Sequence, residues 1–327
     1  MKVLVTGGAG FIGSHYVRSA LSRAQDSRDV AEVTELVVLD KFTYAGNPAN
    51  LDPVAADPRL RVVRGDVADA SVVDPLVAAA DVVVHFAAET HVDRSIAGGS
   101  DFVRTNVAGT QVLLEAAARH GVAKFVHVST DEVYGSIPQG SWTEDSPLEP
   151  NSPYSASKAS ADLLVRAYGR THGVPVCTTR CSNNYGPYQY PEKVVPLFVT
   201  NLLQGGSVPL YGDGANVRDW LHVDDHCRGI DLVVRSGRPG EVYNIGGGTE
   251  LTNAELTARV LDALGADWSR VRHVPDRKGH DLRYSVDCRK IRDELGYVPV
   301  HDFATGLADT VRWYRERADW WRPLLAA

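Results

Sequence analysis

The chain has 327 residues, 44% hydrophobic and 23% charged, an ordinary globular profile with room for two lobes around a large sheet. A formal charge of −7 argues against a general binder of phosphate backbones. No apolar run approaches the roughly 20 residues that span a bilayer, so a cytoplasmic protein is expected.

Residues 2–6 read as a short buried strand that runs straight into Gly7-Gly8-Ala9-Gly10-Phe11-Ile12-Gly13. Its apolar stretch is too short for a signal peptide. A helix is expected over 11–24. Glycines so placed between a first strand and a first helix form a dinucleotide-binding pattern. Gly7 permits the tight turn, Gly10 lets backbone approach a pyrophosphate, and Gly13 lets the helix pack on the strand. The helix N-terminus then faces the negative charge. A polar insertion at 25–35 precedes a second strand at 36–39, which ends at Asp40. That carboxylate would accept from ribose hydroxyls and repel a 2′-phosphate, favouring NAD over NADP. The cation at Lys41 would soften the discrimination. A third strand, 60–63, leads to Asp66, read equally well as an adenine contact and as a strand-end turn residue.

A helix at 72–79 and a strand at 82–85 follow. In the next helix, 101–120, Phe102, Val103, Asn106, Val107, Thr110, Leu113, Leu114 and Ala117 cover more than one face. Such a helix needs cover beyond its own sheet. A second subunit is the economical cover, with the helix at 153–172 as neighbour; burial within one subunit is the alternative.

The fifth strand, 124–128, runs into Ser129-Thr130-Asp131-Glu132-Val133-Tyr134-Gly135. The helix at 153–172 carries Tyr154 and Lys158, four apart and so on one face. An ammonium near a phenol favours phenolate, which can take the proton of a hydroxyl while hydride leaves its carbon. The pair alone is common by chance, but here it follows a glycine loop and a strand ending in Ser129-Thr130. Alcohol oxidation by itself needs no adjacent carboxylates. Asp131 and Glu132 therefore suggest proton movement at a neighbouring carbon, as elimination of water requires. Two carboxylates with pKa values pushed apart supply one acid and one base, though spacing does not order them. Glu144 and Asp145, flanked by prolines, read as an exposed loop with no role.

A sixth strand, 174–179, completes a β-α alternation over 1–180, the pattern of a Rossmann-type doubly wound parallel sheet. After 181, loops rich in Gly, Pro, Asn and Tyr alternate with helices at 223–235, 253–264 and 303–317. They predict a smaller α/β lobe over 181–327 that shapes a substrate pocket. The two are interleaved, the first domain receiving part of 218–246. Cys177, Cys181, Cys227 and Cys288 show no zinc-ligand spacing, so reduced thiols and no metal are expected. Cys181 falls on a segment placed beside the cofactor.

The chain resembles the extended short-chain dehydrogenase/reductase family and, within it, the dTDP-glucose 4,6-dehydratases. The segments that carry the resemblance run through nearly the whole chain. They include 5–14, 39–47, Phe86-Ala87-Ala88-Glu89-Thr90-His91-Val92-Asp93-Arg94-Ser95, 129–135, Arg218-Asp219-Trp220 and Asp276-Arg277-Lys278-Gly279-His280-Asp281. Thr-Asp-Glu before Val-Tyr-Gly is the specific element, since related 4-epimerases carry no acidic pair there. Two positions depart from the family pattern: Lys278 where proline is expected, and Thr90 where serine is commoner.

The resemblance implies a homodimer that binds NAD and dehydrates dTDP-glucose. It makes Thr130 the partner of the 4-hydroxyl and Tyr154 the base, with Glu132 acting at carbon 5 and Asp131 at carbon 6. It adds Phe11, Ile12, Thr43, Val67, Ala87, Ala88, Glu89, Thr105 and Asn184 to the NAD surface, beside Tyr154 and Lys158. Around the sugar nucleotide it places Thr90, Thr130, Asn183, Lys193, Val194, Pro209, Tyr211, Arg218, Asn253, Arg277 and His280. The rivals are a UDP-sugar 4-epimerase or decarboxylase on the same scaffold and, in another class, a non-catalytic NAD-binding protein. The acidic pair counts against the first, the intact Thr-Asp-Glu-Tyr-Lys set against the second.

Overall fold

The structure, a computed structural model, describes residues 1–23 and 32–325. Residues 25–31 of the expected polar insertion lie outside them. The first half contributes β1 (Lys2–Thr6), β2 (Glu35–Asp40), β3 (Leu60–Arg64), β4 (Val82–His85), β5 (Lys124–Thr130) and β6 (Val176–Cys181). The second half contributes β7 (Asn183–Tyr185), β8 (Val208–Tyr211), β9 (Val217–His222), β10 (Val242–Ile245), β11 (Glu250–Thr252) and β12 (Val271–Val274).

A seven-stranded sheet runs in the order β10-β6-β5-β4-β1-β2-β3, parallel throughout. The strand order reverses between β1 and β4, which opens a crevice at their carboxyl ends, the usual ligand position in such sheets. Alternate side chains supply the two faces. From β1, Val3 and Val5 enter a core with Tyr16, Val17, Val38, Ile230 and Val233. Leu4 enters the opposite core with Val37, Leu39, Val73, Leu113, Leu114 and Val165. The first face is covered by α1 (Phe11–Arg23), the second by α2 (Ala70–Ala78).

Beyond β4, α3 (Val92–Ala97) and α4 (Ser100–Phe102) lead through a π turn, Val103–Gly109, into α5 (Thr110–His120). With α6 (Pro153–His172), α5 completes the second face. The smaller lobe has α7 (Val194–Leu203), α8 (Val223–Ser236), α9 (Asn253–Leu264), α10 (Arg289–Leu295), α11 (Phe303–Glu316) and α12 (Ala318–Leu325). Of these, α8 packs on the first face of the large sheet. The lobe has its own core of Phe198, Val199, Trp220, Leu256, Leu307, Tyr314 and Trp321.

Several boundaries differ from the sequence expectation, as at β2, β3 and α2, and three of the differences shape the region of the crevice. The sixth strand starts two residues late, at Val176, because Pro175 has no N–H to give a ladder. The fifth extends to Thr130. The helix at 101–120 is interrupted by the π turn, which seats Asn106 inside the protein and Gly109 against Val67.

Candidate active site

The crevice is an open cleft of about 1560 Å³. The loop after β1 forms its floor. Gly7 has φ +70°, and a Cβ there would stand 2.6 Å from the Ala87 nitrogen. A Cβ on Gly13 would strike the Gly7 carbonyl oxygen. No larger residue fits either position, so backbone alone faces the cleft, as close approach to a pyrophosphate requires. Asp40 lines the cleft beyond this loop and accepts from the Ala9 N–H at 2.9 Å and the Phe42 N–H at 2.8 Å. Burial raises its pKa against those two bonds.

Lys41 is tied to Asp66 at 2.9 Å, so its charge is already met by a carboxylate. Asp66 also accepts from the Ala68 N–H at 3.0 Å, as a strand-end turn residue does, and it lines the cleft. Phe11, Ile12, Thr43, Val67, Ala87, Ala88, Glu89, Thr105 and Asn184 line the same cleft. The donors and the glycine cradle suit a dinucleotide.

At its other end stand Thr130, Asp131, Glu132, Tyr154 and Lys158. Thr130 caps a 3-10 turn, Asp131–Tyr134, accepting from the Glu132 N–H at 3.2 Å and donating to Asp131 Oδ1 at 3.2 Å. The turn is pinned from below. Val133 and Tyr134 are fully buried, and the Tyr134 hydroxyl donates to Asn244 at 2.8 Å. Gly135 then turns the chain at φ +80°, where a Cβ would strike the Glu149 carbonyl oxygen. A capping box of Ser152 and Ser155 with Pro153 starts α6, and sets Tyr154 and Lys158 at its first turns.

The two carboxyls sit in different fields. Asp131 is raised well above the usual carboxylate range, first by burial and then by Glu132, and its Oδ2 has no partner among the described residues. Glu132 keeps a partly open face, but its carboxyl is desolvated and so also raised. There the cations Arg218, Lys193 and Arg277 oppose the rise. Burial holds Tyr154 far up, with Glu132 and Asp131 adding to it and a hydrogen bond from Thr130 opposing. The Lys158 Nζ donates to the Val128 carbonyl at 2.9 Å.

Sequence reasoning missed the groups behind this surface. Asn106 accepts from the Glu89 N–H at 2.8 Å and donates to the Glu89 carbonyl at 3.0 Å and to Ser157 Oγ at 2.8 Å. It thereby locks a cleft wall to the tyrosine helix. The polar residue on an otherwise apolar helical stretch was its signal. Glu144 is no free loop residue, because its carboxylate accepts from the Asn244 N–H on β10 at 2.9 Å. Cys181 lines the cleft as a buried thiol whose pKa burial pushes up.

Among the expected sugar-nucleotide residues, Thr90, Asn183 and Lys193 line the cleft. Asn183 Oδ1 is buried without a partner among the described residues, and Lys193 donates to the Thr90 carbonyl at 2.9 Å. Tyr211, Arg277 and His280 gather to one side, with the Arg277 guanidinium 5.4 Å from the Tyr211 ring. Arg277 forms a bidentate pair with Asp93 at 2.7 and 2.8 Å. Arg218 is buried, stacked on Tyr284 at 4.2 Å and donating to the Val217 and Asp281 carbonyls, and it makes no surface pair with Asp219. Pro209 lies in β8. Val194 packs on the smaller lobe's core and Asn253 opens α9, so neither lines the cleft.

Known proteins match this arrangement over almost the whole chain. The GDP-mannose 4,6 dehydratase family model matches residues 4–310. A dTDP-glucose 4,6-dehydratase of Streptomyces antibioticus is 66% identical over 99% of this chain and 95% of its own. The dTDP-glucose 4,6-dehydratase DesIV of Streptomyces venezuelae, solved with NAD bound, superposes with a TM-score of 0.97 at 67% identity, covering 99% of this chain and 100% of its own. A UDP-glucose 4-epimerase of Thermotoga maritima reaches 0.88 at 31% identity, over 97% and 100%. By descent and by architecture, the chain belongs to the GDP-mannose 4,6-dehydratase family.

Proposed function

We propose that the chain dehydrates dTDP-glucose to dTDP-4-keto-6-deoxyglucose with NAD as a bound cofactor. One observation carries the reading: two adjacent carboxylates in unlike electrostatic fields share a cleft with Tyr154 and Lys158. Thr130 holds the 4-hydroxyl while Tyr154 takes its proton. When bound, NAD supplies the hydride acceptor at carbon 4 and returns that hydride at carbon 6. The 4-ketone acidifies the proton on carbon 5, and Glu132 removes it. Asp131 protonates the leaving 6-hydroxyl, so that water departs, and a proton then returns to carbon 5.

The fields support this order of roles. An acid must stay protonated in the resting site, and Asp131 is the carboxyl driven furthest up. A base must be ionised, and three cations favour that state at Glu132. A 4-epimerase has no use for either group.

The residues that reach the sugar nucleotide are Thr90, Asn183 and Lys193 in the cleft, with Arg218 and Arg277 acting on Glu132 and with Tyr211 and His280 grouped around Arg277. Val194, Pro209 and Asn253 belong to the expected set as well, on the smaller lobe and outside that cleft. We divide the chain into a cofactor domain, 1–180 with part of 218–246, and a substrate lobe over the rest of 181–327. The active unit is a homodimer. In its support, Ala156, Ser160, Leu163 and Ala167 form an exposed stripe on α6, and Val103 beside it is 58% exposed. The four cysteines are free thiols, which suits a reducing cytoplasm. Among the described residues, no helix is long and apolar enough to cross a membrane.

Incubation with dTDP-glucose and NAD tests the reading. The expected product has lost one water by mass spectrometry and shows the alkali-induced absorbance of a 4-keto-6-deoxy sugar. A galactose product, or no turnover of dTDP- or UDP-glucose, overturns it.

A further inference from the structure

Ser136 follows the turn that carries the acidic pair, and Asn151 precedes the Ser152 cap of α6. One segment of the smaller lobe, residues 279–283, holds both. Ser136 Oγ accepts from the Leu282 and Arg283 N–H groups at 3.2 and 3.3 Å. Gly279 passes so close to Asn151 that a Cβ would stand 3.0 Å from its carbonyl oxygen. Between them, the Asp281 carboxylate accepts from Asn151 Nδ2 at 2.7 Å and from the Tyr284 hydroxyl at 2.6 Å. Its main-chain carbonyl accepts from Arg218 Nη2 at 2.9 Å and from Asn216 Nδ2 at 3.2 Å. The Arg218 guanidinium lies over the Tyr284 ring, which the same carboxylate holds. Asp281 is thus bonded both to Arg218 and to the head of the helix that carries Tyr154.

Arg218 is a buried cation that donates to the Val217 and Asp281 carbonyls. Glu132 feels its charge, but no carboxylate forms an ion pair with it among the described residues. A buried charge in that condition suits an anionic ligand, and a guanidinium matches a phosphate well. Where such an anion stands relative to Tyr154 depends on how the smaller lobe is set against α6. The bond from Asn151 to the Asp281 carboxylate is the charge-assisted tie in this contact and outweighs the neutral bonds at Ser136. We infer that Asp281 is a positioning residue that holds Arg218 in register with α6, so that a sugar diphosphate gripped at Arg218 presents its carbon 4 to Tyr154. Neither Asp281 nor Asn151 lines the cleft, so both act through the groups they hold.

The inference rests on the proposed substrate, so its test includes readouts without turnover. Asn151 is exposed, and it is the partner to change. Asn151→Ala deletes the tie, and Asn151→Asp sets two carboxylates against each other. Adding Asp281→Asn to Asn151→Asp rebuilds the tie in reverse: the new amide donates to the new carboxylate, and its oxygen still accepts from Tyr284. Nicotinamide reduction on mixing with dTDP-glucose should slow roughly tenfold to a hundredfold in both single variants, and recover in the paired variant. By calorimetry, dTDP should bind all of them as it binds the wild type, because Arg218 keeps its place within the smaller lobe. Amide exchange at Leu282 and Arg283 should quicken in the single variants and slow again in the pair. Wild-type reduction rates in both single variants overturn the inference, as does a defect that persists in the pair or a dTDP affinity that falls in step with the rate. A wild type that fails to turn over dTDP-glucose overturns the proposed function instead, and leaves amide exchange to judge the tie.

Discussion

Glu132→Gln separates the two halves of the chemistry, and its effect can be worked from the field at Tyr154. Glutamine keeps the shape of the side chain but cannot accept the carbon 5 proton. Loss of a positioned general base costs roughly a hundred- to ten-thousandfold, so elimination should fall by that factor. Oxidation at carbon 4 should survive, because Thr130, Tyr154 and Lys158 are untouched. It should also change its pH dependence. After burial, Glu132 is the largest contribution holding the Tyr154 phenol up, because a nearby negative charge disfavours the phenolate. Removing it lowers the phenol's pKa, so the rise of oxidation rate with pH should begin at lower pH. At a fixed pH below that range, oxidation should be faster than in the wild type. Stopped-flow absorbance of the reduced nicotinamide reads the first half. Mass loss of water and solvent deuterium uptake at carbon 5 read the second. Wild-type elimination in this variant, or no reduction of the nicotinamide on adding substrate, would refute the reasoning.

Three further outcomes are expected. Asp131 must be protonated to act, so elimination should decline as pH rises through its raised pKa; Asp131→Asn should remove that decline and slow elimination by roughly a hundredfold or more, as the pH profile of water loss will show. Gly13→Ala sets a methyl against the Gly7 carbonyl oxygen. It should cost about 1–3 kcal/mol of stability by thermal melting and abolish NAD binding by calorimetry. Leu163→Glu places a charge on the exposed stripe of α6, where the side chain is 54% exposed in one subunit; sedimentation should find a monomer with an unchanged melting temperature, whereas a retained dimer would move the interface elsewhere.

The parts of this protein legible in its sequence are those whose physics is local. A glycine is required where backbone passes too close for a Cβ, so Gly7 and Gly13 announced the cofactor loop without any knowledge of what lay opposite. Four-residue spacing puts Tyr154 and Lys158 on one helical face wherever the helix lies. Short β-branched runs marked β1 to β6, off only at their ends, as where Pro175 delays β6, whereas β7 to β12, with β10 of the large sheet among them, were not read as strands. An acidic pair straight after a strand marked where proton chemistry belongs.

Only the tertiary structure decided what those groups experience. Burial raises both Asp131 and Glu132, and each also feels charges from the distant second half of the chain: Asp219 and Arg218 at the first, Arg218, Lys193 and Arg277 at the second. Lys41 meets Asp66 across two strand ends, and Arg277 meets Asp93 across the two lobes. Lys158 meets His127 only because β5 lies beneath α6. The physical reason is common to all of them. Spacing along the chain sets which way a side chain points, whereas burial and charge depend on what the fold packs around it.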